Sequence, residues 1–169
     1  MSDAAFAILP LGKQDRSAFC CDIEALDRYF HMQVSQDAKR RVAGCFVAIE
    51  KSTGEIAGFY TLSACHVRLA DLDGARRAKL PRYPHVPAVQ LGRLAVDTRF
   101  RGLKLGSALL VNAVARSIKS DIVAHMMAVD AKDELAVRFY EHHGFVRDVA
   151  DPLRLFASLG DLSRGLGLG

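Results

Sequence analysis

A basic segment near the middle of the chain has the residue types of a phosphate-binding loop. The apolar run 94–96 leads into a loop with Arg99, Arg101 and Lys104, and an apolar stretch typical of a helix follows. A helix N-terminus carries unpaired N–H groups and about half a positive charge, which suits a phosphate. The segment therefore predicts a phosphate site, with an ordinary strand–helix turn as the alternative.

Two glycines in this segment favour close approach of a ligand. Gly102 and Gly106 have no Cβ, so a bound group can reach the main chain. The spacing is neither a Walker loop, since no Gly-Lys-Ser/Thr follows, nor the dinucleotide GxGxxG pattern.

Positive charge is concentrated around the same segment. Eight Lys or Arg residues and one Asp lie between Arg76 and Lys104, a net charge of +7 over 29 residues, whereas the 169-residue chain carries only +4. Clustered cations focus positive potential, so this segment indicates a surface that faces a polyanion. A solvated basic face without a partner is the alternative.

The cysteines do not indicate a metal or a disulfide. Cys20, Cys21, Cys45 and Cys65 form no CxxC pair, and we expect reduced structural thiols. Cys65 and His66 are neighbours in a predicted strand and would point to opposite faces, which argues against a catalytic dyad. Because metal-ligand spacing is missing, we expect no metal.

Hydrophobic periodicity and turn residues predict the elements that position these groups. Strands are expected at 6–11, 45–49, 56–69, 89–96, 125–129, 145–147 and 153–159. Helices are expected at 22–39, 71–80, 103–118 and 133–143, the first capped by Asp22 and the last closed by Gly144. Gly92, inside the fourth strand, suggests a bulge or close backbone approach. This order predicts an α/β (α+β) fold, a mixed central sheet with helices on both faces.

Length and hydropathy limit the class of protein. A chain of 169 residues fits one domain, which we expect at 1–160, followed by a glycine-rich C-terminal tail at 161–169. The apolar stretch 108–115 is too short to span a bilayer. The N-terminus carries Asp3 and no cation before Lys13, so we expect no secretory signal and a cytoplasmic location.

The phosphate-loop candidate resembles a known signature. Residues 101–106, with the sequence RGLKLG, are similar to the [QR]-x-x-G-x-[GA] acetyl-coenzyme A signature of the GCN5-related N-acetyltransferases (GNAT). Residues 133–145 resemble the second half of that family. Lys104 stands where the signature has glycine, and Asp133 stands where many members have asparagine. The resemblance implies the GNAT fold.

Further stretches resemble one subfamily, the acetyltransferase toxins of type II toxin–antitoxin systems (TacT-like). They are LPRYPHVPAVQLGRLAVD at 80–97, FYTLS at 59–63, FCC at 19–21 and LDRY at 26–29. The likeness covers about residues 16–159, and the combination of motifs carries it rather than any one of them.

The resemblance implies an enzyme that moves acetyl from acetyl-CoA to the amino group of an aminoacyl-tRNA, which blocks translation. Acetyl-CoA is then the cosubstrate, without a metal. Main-chain and side-chain groups that bind it are expected at Leu94, Ala95, Val96, Arg99, Arg101, Gly102, Leu103, Lys104, Leu105, Gly106, Ser107 and Asp133. Basic side chains expected to bind tRNA are Arg76, Arg77, Lys79 and Arg93.

Tyr140 is the candidate catalytic residue. From its neighbours alone, an aromatic side chain packed in the core is the simplest interpretation. Matched to the family, Tyr140 is the residue near the acetyl sulfur, and a phenol of pKa about 10 can protonate a thiolate of pKa about 8.5. Asp97, Asp130 and Glu55 are candidate bases. An α-amino group, with a pKa near 8, needs no strong base.

The resemblance also implies partners. These are aminoacyl-tRNA, a ribbon-helix-helix antitoxin encoded upstream, operator DNA reached only through the antitoxin complex, and a second copy in a homodimer; no membrane is involved. Two alternatives remain: a small-amine or protein N-terminal acetyltransferase with the same cofactor site, and a non-catalytic CoA- or RNA-binding module. An intact Tyr140 argues against the non-catalytic module.

Overall fold

The computed structural model describes residues 4–168; Asp3, with the first residues of the predicted domain, and Gly169, the end of the predicted tail, lie outside the described residues. The strands are β1 (Phe6–Pro10), β2 (Gly44–Glu50), β3 (Ile56–Arg68), β4 (His85–Val96), β5 (Met126–Asp130), β6 (Val146–Arg147) and β7 (Arg154–Ser158). The helices are α1 (Glu24–Met32), α2 (Val34–Lys39), α3 (Gly74–Ala78), α4 (Leu105–Ile118), α5 (Glu134–His142) and α6 (Leu159–Gly165). The strands form one mixed sheet in the order β1-β2-β3-β4-β5-β7-β6.

One compact unit comprises the chain up to Ser63 together with Gly92–Ala113. In it, β2 pairs with β1 and with β3, both antiparallel. Its core is aromatic, since the rings of Phe30 and Phe59 stack with centroids 4.2 Å apart. In α4, Asn112 accepts a hydrogen bond of 2.6 Å from the Tyr60 hydroxyl, which accounts for a polar residue inside an apolar helix.

The other compact unit comprises Ala64–Leu91 and Val114–Gly169. Strands β4 and β5 are parallel there, while β7 is antiparallel to both β5 and β6. Its core contains buried aliphatic, methionine and aromatic side chains: Val67, Leu72, Val86, Ala88, Met126, Ala128 and Phe156. No helix in the described part of the chain is long and apolar enough to cross a membrane.

The prediction that Asp22 caps the first helix was wrong. Ile23 occupies the N-cap position and makes no side-chain cap, while Asp22 has a left-handed backbone with φ of 65°. Asp27, inside the first turn, accepts a hydrogen bond of 2.8 Å from the Cys21 N–H instead. The single helix that we predicted is also divided into α1 and α2 at Gln33, whose backbone is not helical.

Two further boundaries differ from the prediction. β4 begins at His85 and includes Pro87, whose carbonyl accepts a hydrogen bond of 2.9 Å from the His125 N–H. Proline supplies an acceptor but no donor, so the strand signal is weak there. Helix α6 was not predicted; it crosses the domain boundary that we placed at residue 160, and the Ser158 side chain caps it. The assignment of one domain stays a prediction.

Candidate functional site

A buried carboxylate holds the connection between β4 and α4. Asp97 is 1% exposed and accepts hydrogen bonds from the Cys20 N–H at 3.0 Å and the Arg99 N–H at 2.9 Å. The Arg99 Nε donates to the same carboxylate at 3.0 Å. Burial opposes the charge of Asp97, but the hydrogen bonds outweigh burial and lower the pKa of its carboxyl. Asp97 is therefore an ionised anchor for the loop that follows it.

Arg99 is bound by two carboxylates. Its Nη1 donates to Glu55 Oε2 at 3.1 Å, in addition to its bonds with Asp97. Hydrogen bonds to Asp97 and then to Glu55 raise the pKa of Arg99 above its ordinary value. Two of the three candidate bases are thus paired with one arginine. The phosphate contact expected of Arg99 stays a prediction, and it would need a guanidinium that already has partners.

Two residues with left-handed backbones shape the loop. Gly102 has φ of 78° and Lys104 has φ of 58°. A non-glycine residue in this region costs roughly 1–2 kcal/mol, so the left-handed backbone of Lys104 has an energetic cost. Helix α4 begins at Leu105, two residues later than predicted, because left-handed residues cannot form part of a right-handed helix.

The first turn of α4 presents main-chain N–H groups beside this loop. The Ala108 N–H donates to the Lys104 carbonyl at 3.2 Å, so the amides of Leu105 and Gly106 precede the helical ladder. With 14 residues, α4 is long enough to carry a positive partial charge at this end. The arrangement suits an anionic group, and the phosphate contact at this end of α4 stays a prediction.

The two remaining loop cations differ in their contacts. Arg101 Nη2 donates to the Cys21 carbonyl at 2.7 Å, which ties the loop to the segment before α1. The Lys104 side chain is exposed and makes no hydrogen bond or ion pair with any residue between 4 and 168. Of the cations in this loop, Lys104 is therefore the one whose charge is most available to a ligand.

Part of β4, the strand that leads into the loop, extends beyond its parallel pairing with β5. Pairing of β4 with β5 runs from Ala88 opposite Met126 to Leu91 opposite Val129 and stops there. Residues 94–96 lie beyond it. A Cβ on Gly92 would lie 2.9 Å from the Thr61 Oγ1, so a side chain closely approaches this glycine. A bulge or a close approach of another main chain at Gly92 stays a prediction.

Tyr140 lies in α5 and is 8% exposed. Its ring makes edge contacts with Phe139 and Phe145, at centroid distances of 5.1 and 5.5 Å. Burial raises the pKa of Tyr140 well above its ordinary value of 10, so the phenol is protonated at neutral pH. Its hydroxyl has no hydrogen-bond partner in the described part of the chain. It can therefore donate a proton but cannot act as a base at neutral pH.

Two aspartates considered for the site have local partners. Asp133 caps α5 by accepting from the Ala136 N–H at 2.8 Å, and it also pairs with Lys132 at 2.8 Å. The lysine is the larger cause of the lowered pKa of Asp133. Asp130 accepts a hydrogen bond of 3.3 Å from the Gln90 side chain. A cofactor contact by Asp133 stays a prediction.

The three cations expected to contact tRNA lie on α3 and at its C-cap. Arg76 is ion-paired with the N-cap residue Asp73 at 2.5 Å, with both side chains about one-third exposed. Arg76 and Lys79 line a cavity of about 630 Å³ together with Arg164 from α6. Sequence reasoning missed Arg164, because it lies 85 positions beyond Lys79 in a helix that was not predicted.

Arg93, the fourth cation expected to contact tRNA, lies elsewhere. Its guanidinium carbon is 3.5 Å from the centroid of the Tyr29 ring. It lines a second cavity, of about 760 Å³, beside α1 and α2.

Comparisons with known proteins agree with the family resemblance found in the sequence. The model of the Acetyltransferase (GNAT) family matches residues 14–145. A tRNA-acetylating toxin of Mycobacterium tuberculosis (strain ATCC 25618 / H37Rv) is 32% identical over 155 residues, which cover 90% of this chain and 91% of that protein.

Solved structures of two toxins have the same fold. A crystal structure of a KacT mutant superposes with a TM-score of 0.86 at 23% identity, covering 95% of this chain and 99% of that one. AtaT complexed with acetyl-methionyl-tRNAfMet gives 0.83 at 24% identity, over 96% and 98% of the two chains. An AtaT mutant bound to the C-terminus of the antitoxin AtaR gives 0.79 at 23%, over 95% and 98%. By its matched residues and its fold, the chain belongs to the acetyltransferase (GNAT) family.

Proposed function

We propose that this protein transfers the acetyl group of acetyl-CoA to the amino group of an aminoacyl-tRNA and so blocks translation as the toxin of a toxin–antitoxin pair. The observation that carries the proposal is the likeness to a tRNA-acetylating toxin over nine-tenths of both chains. The structure of AtaT with an acetylated aminoacyl-tRNA supports the same substrate class.

The loop after β4 would bind the phosphates of acetyl-CoA. Main-chain N–H groups of residues 101–107 and the positive end of α4 favour an anion there. Lys104 would add a full charge, while Asp97 and Arg99 hold the loop in place. Main-chain groups of residues 94–96 would pair with the pantetheine arm, since they lie beyond the β4–β5 ladder.

The chemical step needs a neutral amine and a proton for the leaving thiolate. The amine nitrogen attacks the thioester carbonyl, a C–N bond forms, and the C–S bond breaks. Tyr140 would give its proton to the CoA sulfur and regain one released by the nitrogen. An α-amino group has a pKa of about 8, so a useful fraction is neutral at pH 7 without a strong base. The pairing of Asp97 and Glu55 with Arg99 is compatible with such a mechanism.

The partners follow from the same proposal. AtaT bound to a C-terminal segment of its antitoxin supports an antitoxin for this protein, and we expect a ribbon-helix-helix protein that carries the complex to operator DNA. Aminoacyl-tRNA as substrate implies action in the cytoplasm. A homodimer is the expected assembly.

Transfer of labelled acetyl from acetyl-CoA tests the activity. The purified protein is incubated with a mixture of aminoacyl-tRNAs, with the same tRNAs after deacylation, and with free amino acids and short peptides. We expect label in the aminoacyl-tRNA alone. Label only in free amines or peptide N-termini would identify the small-amine or N-terminal acetyltransferase, and no transfer to any acceptor would identify a non-catalytic module.

A further inference from the structure

The cavity of about 760 Å³ beside α1 combines apolar side chains with two arginines, Arg28 and Arg93. Its lining residues are Ala25, Leu26, Arg28, Tyr29, Met32, Gln33, Gln36 and Arg93. The lining contains no carboxylate. Arg28 is ion-paired with Glu24 at 2.5 Å. The Met32 side chain, which contributes an apolar surface to the cavity, leaves 74% of its surface exposed.

The Arg93 guanidinium lies over an aromatic ring and has no ionic partner among residues 4–168. It stacks on Tyr29 at 3.5 Å, and the Tyr29 hydroxyl donates to the Asp37 carboxylate at 3.0 Å. Burial raises the pKa of Tyr29 to about 12, so this hydroxyl keeps its proton. Whereas Arg76 and Arg99 are each bound by carboxylates, Arg93 makes no ion pair or hydrogen bond with the residues that the structure describes.

This combination suits a planar group that is linked to an anion. A guanidinium plane fixed on one face by an aromatic ring offers its other face for stacking, and its N–H edge for a phosphate. A phosphate alone would not need the apolar wall of Leu26 and Met32. An aliphatic ligand would not need an unpaired cation. Bases of unpaired RNA stack on arginine planes in this way.

We propose that the cavity binds one unpaired nucleotide of the RNA substrate, with its base between the Arg93 guanidinium and the side chains of Leu26 and Met32. The inference rests on the proposed function, because it assigns a subsite to that substrate. The amides of Gln33 and Gln36 supply donors and acceptors for the edge of the base.

The experiment compares Arg93→Lys with Arg28→Lys, a matched change at the other arginine of the cavity. Binding of aminoacyl-tRNA is measured as a function of salt, and binding of a single-stranded RNA tetranucleotide is followed by the fluorescence of a 2-aminopurine base. Arg93→Lys keeps the charge but loses the plane. We expect roughly 5- to 150-fold weaker RNA binding, the effect of one lost stack, with the salt slope unchanged. Arg28→Lys should match the wild type.

Further readouts separate a lost stack from a damaged fold. Acetyl-CoA affinity should be the same in all variants. Met32→Ala alters an exposed wall residue, and it should reduce quenching of the 2-aminopurine base without altering the salt slope. Wild-type affinity and quenching in both Arg93→Lys and Met32→Ala would overturn the inference while leaving the proposed function intact. A wild-type protein that neither binds nor acetylates aminoacyl-tRNA would overturn both.

Discussion

At the scale of single residues, Tyr140 combines a buried ring with a hydroxyl that has no hydrogen-bond partner among residues 4–168. The Tyr140→Phe substitution keeps the ring contacts with Phe139 and Phe145 and removes the proton donor. We expect turnover to fall by roughly 10²–10⁴, the usual contribution of a general acid, with acetyl-CoA affinity and melting temperature unchanged. Initial rates and calorimetry measure these quantities. Tyr83→Phe, at a tyrosine that is 69% exposed, is the control. Near-normal turnover of Tyr140→Phe would make Tyr140 a core residue only.

Two substitutions of Lys104 separate the effect of its backbone strain from the effect of its charge. Both Lys104→Gly and Lys104→Ala remove the charge, but only glycine relaxes a backbone with φ of 58°. We therefore expect Lys104→Gly to raise the free energy of unfolding by up to about 1 kcal/mol relative to Lys104→Ala, since part of the gain is offset by backbone entropy.

The same two variants test the charge. Both should weaken acetyl-CoA binding to the same extent in calorimetry if the ammonium group contacts a phosphate. Affinities equal to the wild type would show that the phosphate site uses main-chain groups without this side chain.

Sequence reasoning placed the loop cations but could not show which of them are paired. Arg99 lies 44 positions after Glu55, and only the folded chain brings the two together. The mixture of helix-breaking and basic residues at 99–104 was visible in the sequence, so the loop itself was predictable. Arg164 was not, because nothing in a glycine-rich C-terminus indicated a helix.

At the scale of elements, the connection from β4 to α4 depends on Asp97. Asp97→Asn removes charge-assisted hydrogen bonds with Arg99 and Cys20, and we expect a loss of about 1.5–3 kcal/mol in the free energy of unfolding at pH 7. The folded state lowers the pKa of this carboxyl, so its stabilisation is present above the unfolded pKa of about 3.9 and disappears as the pH falls through the folded value.

Urea unfolding between pH 7 and pH 3 measures this dependence. The difference between wild type and Asp97→Asn should narrow as the pH falls below about 4. Asp121→Asn, at an exposed aspartate, should show no such difference. A difference that stays constant with pH would mean that shape, rather than charge, explains the role of Asp97.

Elements with strong local signals were predictable, and elements whose ends depend on distant contacts were not. The α5 helix and its left-handed Gly144 were placed within one residue. The start of β4 was missed because Pro87 weakens the strand signal, while the pairing of its carbonyl with His125 is a long-range contact. Asp22 failed as a cap because its left-handed backbone, with φ of 65°, differs from the extended conformation typical of an N-cap residue.

At the scale of the whole molecule, the net charge of the basic segment 76–104 overstates the number of cations that are available to a polyanion. Arg76 and Arg99 are paired with carboxylates, and Arg93 is stacked on a ring. Arg77 makes no ion pair within the described residues, so the α3 region keeps a positive excess.

Substituting Arg76, Arg77 and Lys79 together by alanine tests that region. We expect weaker binding of every tRNA and a plot of log affinity against log salt that is flatter by roughly 2, because each lost phosphate contact removes about 0.7–0.9. Acetyl-CoA affinity should not change. The matched control substitutes the exposed cations Lys39, Arg40 and Arg41. Salt slopes parallel to that of the wild type would show that the α3 cations face solvent and do not contact tRNA.

The most direct test of the proposed activity is the mass of the aminoacyl-adenosine released by ribonuclease from tRNA that has been incubated with acetyl-CoA and the protein. We expect this fragment to gain the mass of one acetyl group, carried on the α-amino nitrogen, and we expect the gain to be nearly absent with Tyr140→Phe. An unmodified aminoacyl-adenosine, or an acetyl group on the RNA itself, would contradict the proposal that this GNAT protein acetylates aminoacyl-tRNA.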